Sequence, residues 1–214
     1  MLARLSLFTL SALLAAAPGY AQELDTPEPV ACSGVFGFES SEKLLIETFG
    51  ADNVVTGQVN GPEGITYLAT TVFPDDPQRR MEFSWFDESG LTQLSAVELA
   101  PTQAGPGGVQ IGMSVAEVEA INAQPFTIGG FWWDYGGYAG FESGKLAGPL
   151  EGECYLSLRF SPAEETPVGV DLDAIAGEVI IPSGDPVLAQ VDTRVVNMSL
   201  GYALDEPIAE EAAD

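Results

Sequence analysis

Ile111-Gly112-Met113-Ser114-Val115-Ala116-Glu117-Val118-Glu119-Ala120-Ile121-Asn122-Ala123-Gln124-Pro125-Phe126 reads as a capped helix that feeds a strand. Ser114 and Glu117 have capping-box spacing: the serine oxygen meets the N3 amide, and the glutamate reaches back to the cap amide. Val115, Val118 and Ile121 then fall on one side of a short helix that ends before Pro125.

Upstream, Ser40 or Ser41 caps a comparable helix. Leu44, Leu45, Ile46 and Phe49 supply its apolar side, and Gly50 ends it. Strand-like segments follow at Val54–Val59, Ile65–Phe73, Arg80–Phe86 and Thr92–Leu99. In the third, Met81, Phe83 and Trp85 alternate with Glu82 and Ser84, which predicts one buried face. Pro62-Glu63-Gly64, Pro74-Asp75-Asp76-Pro77 and Asp87-Glu88-Ser89-Gly90 supply the turns. Downstream of Pro125 the strands expected are Phe126–Tyr135, Cys154–Phe160, Glu178–Ile181 and Val195–Tyr202, with a helical turn at Pro186–Val191 capped by Asp185.

The predicted fold class is therefore α+β: two tandem helix-plus-antiparallel-β-meander units, joined by one disulfide. The first unit spans residues 32–100 and the second 109–204, with a Pro/Gly loop at 101–108 between them. Residues 22–31 read as an exposed spacer, and 205–214 as an acidic disordered tail.

Gly112-Met113-Ser114, Glu117-Val118, Ile121-Asn122 and Pro125 resemble the G-M-[ST]-x-x-[EQ]-V-x-x-[LI]-[LN]-G-x-P motif. That motif is typical of the BamE (SmpA/OmlA) outer-membrane assembly lipoproteins and of tandem-repeat β-lactamase inhibitory protein-like domains. Ala123 or Gln124 stands where those families have Gly, and Ser41–Val54 is a looser echo in the first half. The chain as a whole also resembles uncharacterised exported bacterial proteins of this layout. The resemblance implies a helix-plus-meander fold and an inhibitor-like or assembly-accessory role, without naming a target.

Residues 1–21 have the parts of a secretory signal. Arg4 is followed by the apolar run Leu5–Ala17, too short to span a bilayer as a helix, and Gly19-Tyr20-Ala21 offers a cleavage site before Gln22. The expected location is periplasmic or secreted, with no stable membrane insertion after cleavage. Cys32 is not a lipidation site, because Pro29 stands where a lipobox wants Leu. Two cysteines in an oxidising compartment predict one bridge, Cys32–Cys154, which stabilises by about 5 kcal/mol in the chain-entropy model.

The chain holds 32 acidic and 7 basic residues and no histidine, for a net charge of −25. Such a surface repels phosphate backbones and anionic headgroups, so no nucleic-acid partner is expected. A basic protein, a cation or no partner remains. The lack of histidine removes Ser-His-Asp and Cys-His catalysis and histidine-containing zinc sites. No cofactor is expected and no metal site is assigned. Asp75-Asp76 and Asp171-x-Asp173 lack the full calcium-loop spacing. Ser40-Ser41-Glu42-Lys43 matches S-x-x-K, but no S-D-N or K-T-G companion exists, and a helix cap with an exposed lysine is the reading taken. Asn197-Met198-Ser199 is a sequon by pattern only, and Arg79-Arg80 is expected to pair with nearby carboxylates.

The candidate binding patch is Phe131, Trp132, Trp133, Asp134, Tyr135 and Tyr138, in a run where aromatics interleave with glycines. As a strand it would send Phe131, Trp133 and Tyr135 one way and Trp132 the other, so not all of them fit one core. Core packing with glycine bulges is the competing placement. The function expected is non-enzymatic: binding another envelope or secreted protein through an aromatic-rich sheet surface. The alternative is a carboxylate-dependent glycan hydrolase of the cell envelope, which would need two carboxylates within about 5–10 Å in a cleft.

Overall fold

The computed structural model describes residues 27–204 except Thr166. The segment read as a secretory signal (1–21), the start of the expected spacer and the acidic tail lie outside the described residues. The helices are α1 (Glu42–Phe49), α2 (Val115–Asn122) and α3 (Pro186–Gln190). The strands are β1 (Val54–Asn60), β2 (Thr66–Val72), β3 (Met81–Asp87), β4 (Thr92–Glu98), β5 (Thr127–Gly129), β6 (Ala139–Gly140), β7 (Tyr155–Ser161), β8 (Ile180–Pro182) and β9 (Arg194–Gly201). No helix among them is long and apolar enough to cross a membrane.

Each helix begins where its cap residue dictates. Ser41 Oγ accepts from the Leu44 amide at 3.2 Å, and Gly50 at φ 87° closes α1. Ser114 and Glu117 form the expected box on α2: the Ser114 amide donates to Glu117 at 2.8 Å, and the Glu117 amide to Ser114 Oγ at 3.3 Å. Asp185 caps α3 through the Val187 amide at 2.9 Å. Ser41 also bridges to Thr92 at the start of β4, and Ser114 bridges to Arg194 at the start of β9.

The strands form two antiparallel sheets, one ordered β1-β2-β3-β4-β9-β7 and a smaller one ordered β6-β5-β8. The first half is the consecutive meander expected. The second half is not: β7 and β9 extend the large sheet, while β5, β6 and β8 make the small one. Single bonds link the two sheets, since the Phe160 amide donates to Gly137 O at 2.7 Å and Tyr138 bridges to Arg159. Gly137 makes this approach possible. It sits at φ 84°, and a Cβ there would lie 2.1 Å from Phe160 O.

Alternation decides which face is buried. Thr70, Phe83, Val97, Leu200 and Leu156 lie in register across five strands on the core side. Leu45 of α1, Val118 of α2 and Leu188 of α3 belong to the same apolar cluster. Fully burying a side chain such as Phe83 contributes roughly 2–3 kcal/mol. Trp85 satisfies its indole by donating to Thr70 Oγ1 at 3.0 Å, and Thr70 in turn shares a hydrogen bond with Thr56. The Cys32–Cys154 disulfide is present, with Cα atoms 6.0 Å apart. Residues 27–31 run past Ala104, whose carbonyl accepts from the Val30 amide at 2.8 Å.

The predicted strand Phe126–Tyr135 is shorter than expected. Pairing covers only Thr127–Gly129, and residues 131–137 form turns with one bridge, Phe131 to Ala176. Glycines at 129, 130, 136 and 137 release the chain from the pleat, and the aromatic content that suggested a strand serves a loop instead.

Candidate functional site

The face of the large sheet opposite the core is polar and concave. Register places Thr71, Glu82, Glu98, Ser199 and Ser157 in one row across five strands. Along the next row toward the small sheet, Asn197 pairs with Arg159, and Arg159 bridges to Tyr138. A groove of about 510 Å³ runs over Glu82, Glu98, Asn197 and Ser199 of this face, with Tyr67, Asn60 and Gly61 on one side and Tyr138, Phe131 and Gly136 on the other.

Glu82 and Glu98 are direct cross-strand partners in this groove. Like charges opposite one another in a sheet are destabilising unless compensated. Arg80 Nε donates to Glu82 at 3.0 Å, and the Glu82 side chain is only 16 % exposed. Glu98 receives a hydrogen bond from the Asn197 side-chain amide, lines the groove and keeps an exposed flank. Burial and, next, the Glu82 charge push Glu98 above the ordinary glutamate value, against the opposing pull of Asn197 and Arg80. Tyr67 is pushed up by burial and then by both carboxylates, which places its phenol beside them.

The sequence-predicted aromatic residues do not act as one patch. Phe131 is 3 % exposed and belongs to the core, as the competing placement had it. Trp132 is 57 % exposed, at φ 63° and edge-on to Phe131, and it lines neither the groove nor the depression beside it. A bulky residue in the left-handed region is strained, and such strain collects at functional surfaces. Trp133, Asp134, Tyr135, Tyr138 and Arg159 do come together, around a depression of about 390 Å³ beside the groove. Trp133 and Tyr135 meet edge to face, and the Trp133 indole donates to Gly130 O at 2.9 Å.

Arg159 fastens this loop to the sheet. Its Nε donates to Gly136 O at 2.8 Å, its Nη2 to Asp134 O at 3.1 Å, and the guanidinium lies 5.3 Å from the Tyr138 ring centre. Across the groove, Glu63 in the β1–β2 connection stands beside the Tyr135 hydroxyl, and its charge pushes that phenol up. Gly61 in that connection and Gly136 in the aromatic loop both line the groove.

The remaining sequence candidates have structural partners. Ser40 is fully buried, whereas Lys43 is 85 % exposed on its own side of α1 and pairs with Glu47 at 3.7 Å. That geometry gives no serine–lysine dyad. Asp171 accepts from the Asp173 amide at 3.1 Å and Asp76 from the Gln78 amide at 3.0 Å, both local turns. Arg80 pairs with Glu82 as expected, while Arg79 stacks over Phe73 at 3.6 Å.

The Glu82–Glu98 pair and the groove floor were not among the sequence candidates. Their signal was the polar half of each alternating strand: Glu82 and Ser84 in β3, Asn197 and Ser199 in β9. No family model matches the chain, and no similar curated protein or solved structure was found.

Proposed function

We propose that this is an exported, non-enzymatic protein that binds another envelope or secreted macromolecule, with the polar groove and its aromatic rim as the binding surface. One observation carries this reading. A continuous groove crosses five strands on the coreless face, and its walls present Tyr67 and Tyr138 beside an exposed, strained aromatic loop. Tyrosine and tryptophan offer large contact area at low entropic cost. The disulfide fits an oxidising compartment, in line with the signal reading of residues 1–21.

The tandem-unit reading, and with it the BamE-like or β-lactamase inhibitory protein-like resemblance, draws support from strand order. Counting the single-bond link between sheets, the order runs β1-β2-β3-β4 and then β9-β7-β6-β5. Set α1-β1-β2-β3-β4 against α2-β5-β6-β7-β9, and the second series is the first run backwards from the centre, with β8 and α3 as an insertion. The serine that caps each helix bridges to the last strand of its own series, Ser41 to β4 and Ser114 to β9.

A photo-crosslinking amino acid placed at Ser199, on the groove floor, tests the binding reading against the same group at Val168, which is fully exposed elsewhere. Capture of one protein from envelope extract at Ser199 alone, lost on Tyr138→Ala, is the expected result. Equal capture at both positions, or none at Ser199, refutes it.

The Glu82–Glu98 pair favours a second reading, glycan hydrolysis. Two carboxyls facing each other across neighbouring strands, with Glu98 pushed above its ordinary value by burial and by the Glu82 charge, are the kind of pair that acid-and-nucleophile chemistry uses. Hydrolysis of envelope glycan that is abolished separately by Glu82→Gln and Glu98→Gln would establish it.

A further inference from the structure

We propose that the groove takes an extended, basic segment of a protein partner, laid across the strands, with a lysine or arginine side chain seated on Glu98. The inference rests on the binding reading above and names the chemistry of its occupant. Glu82 has its own cation in Arg80, whereas among the described residues no lysine or arginine lies within salt-bridge distance of Glu98. Two carboxyl side chains are cross-strand partners here and one guanidinium is held on Glu82, so a second cation completes the charge pairing. Arg159 does not supply it: among the described residues it forms no salt bridge with Glu98, and its Nε and Nη2 donate to the carbonyls of Gly136 and Asp134.

Length fits an extended chain. The groove lining runs from Tyr67 on β2 through Glu82, Glu98 and Ser199 to Ser161 on β7, five strands across. At strand spacings of about 4.8 Å that is roughly 19 Å, the reach of about six extended residues. The Ser84 and Ser199 hydroxyls and the Asn197 amide line that path and offer donors and acceptors to a peptide backbone. The Tyr67 ring supplies a face for the stem and charge of the seated side chain. At −25, the chain as a whole attracts a basic partner and speeds its approach.

The test separates a seated charge from general attraction to an acidic surface. A capped hexapeptide of alternating serine and arginine is titrated at low salt while backbone amide shifts are followed. The comparison is between the unaltered protein, Glu98→Gln, and Glu151→Gln, which removes the same charge at an exposed position remote from the groove. Thermal melts confirm that both variants are folded. The expected result is shifts at Glu98, Asn197 and Ser199, with affinity about tenfold weaker in Glu98→Gln and less than about twofold weaker in Glu151→Gln. Equal losses in the two variants, or shifts outside the groove, overturn the proposal. So does equal binding of a serine–glycine hexapeptide or a neutral hexasaccharide at the same amides, which leaves the groove reading standing with a different occupant. The photo-crosslinking experiment distinguishes the two failures. Capture at Ser199 that persists in Glu98→Gln removes the cationic inference alone, whereas loss of all capture removes the binding reading itself.

Discussion

Replacing Arg159 by glutamine asks whether the aromatic loop is held to the sheet by one side chain. The guanidinium donates to Gly136 O and Asp134 O and lies over Tyr138. A hydrogen bond from a charged donor contributes about 1.5–3 kcal/mol when desolvated, and the bond to buried Gly136 takes the lower part of that range. The bond to exposed Asp134 contributes a fraction of this, because water replaces the donor. The cation–π contact at a half-exposed ring adds about 0.5–1 kcal/mol. The loop should therefore lose about 2–3 kcal/mol of local stability. In native-state hydrogen exchange this is a loss of protection of roughly 30- to 150-fold at the Gly136 and Gly137 amides. Those amides donate to Trp133 O at 3.0 Å and Gly129 O at 2.9 Å, so they report on the loop directly. The amides of Phe83 and Leu158, on the core side, serve as the reference and should change little. The reasoning is refuted if Gly136 and Gly137 keep their protection within about threefold, or if the reference amides lose as much as the loop does.

Removing the Cys32–Cys154 bridge by double alanine substitution opens a loop of 122 residues, and denaturant unfolding should show a loss of about 5 kcal/mol; a loss under about 1 kcal/mol would contradict the chain-entropy account. Gly137→Ala forces a Cβ into Phe160 O at an unfavourable φ, and should lower stability by about 1–3 kcal/mol in the same assay. Glu98 has a raised carboxyl, so its ionised form is disfavoured in the folded state. The wild type should therefore lose stability as pH climbs from below the ordinary value of 4.5 through the raised folded value. Glu98→Gln should be the more stable protein near neutrality and lose that advantage at low pH; melting temperatures across pH that diverge in the opposite sense would refute this. Ser40 has a buried hydroxyl without a partner among the described residues, so Ser40→Ala should leave stability unchanged or raise it by up to about 1 kcal/mol, as read by thermal melting.

Local rules made much of the fold legible. The three helices start where Ser41, Ser114 and Asp185 cap them, because a cap is an interaction between near neighbours in sequence. The strands of the first half were legible for a similar reason: Met81-Glu82-Phe83-Ser84-Trp85 alternates, and turn residues bracket it. The pairing of Cys32 with Cys154 followed from there being two cysteines. What stayed hidden depends on distant register. Glu82 meets Glu98, Glu98 meets Ser199, and Ser199 meets Ser157 only once the sheet is assembled. Phe131–Tyr135 misled because aromatic side chains favour strands while the flanking glycines permit a turn, and the glycines prevailed. The aromatic run was therefore expected with the wrong backbone, and only part of it borders the groove.

The position of β9 carries a consequence for how the molecule is made. It is the last of the described strands in chain order, yet it lies between β4 and β7 in the interior of the large sheet. The first meander is built from neighbouring segments and can form early, whereas β4 must wait for a strand about a hundred residues further along. Until residues 194–201 arrive, β4 and β7 each present an unpaired edge, the kind of surface on which chains join incorrectly. Loss of this late segment would not trim the molecule at its margin but split the sheet down the middle. During synthesis, the open sheet is the species most in need of protection from its neighbours.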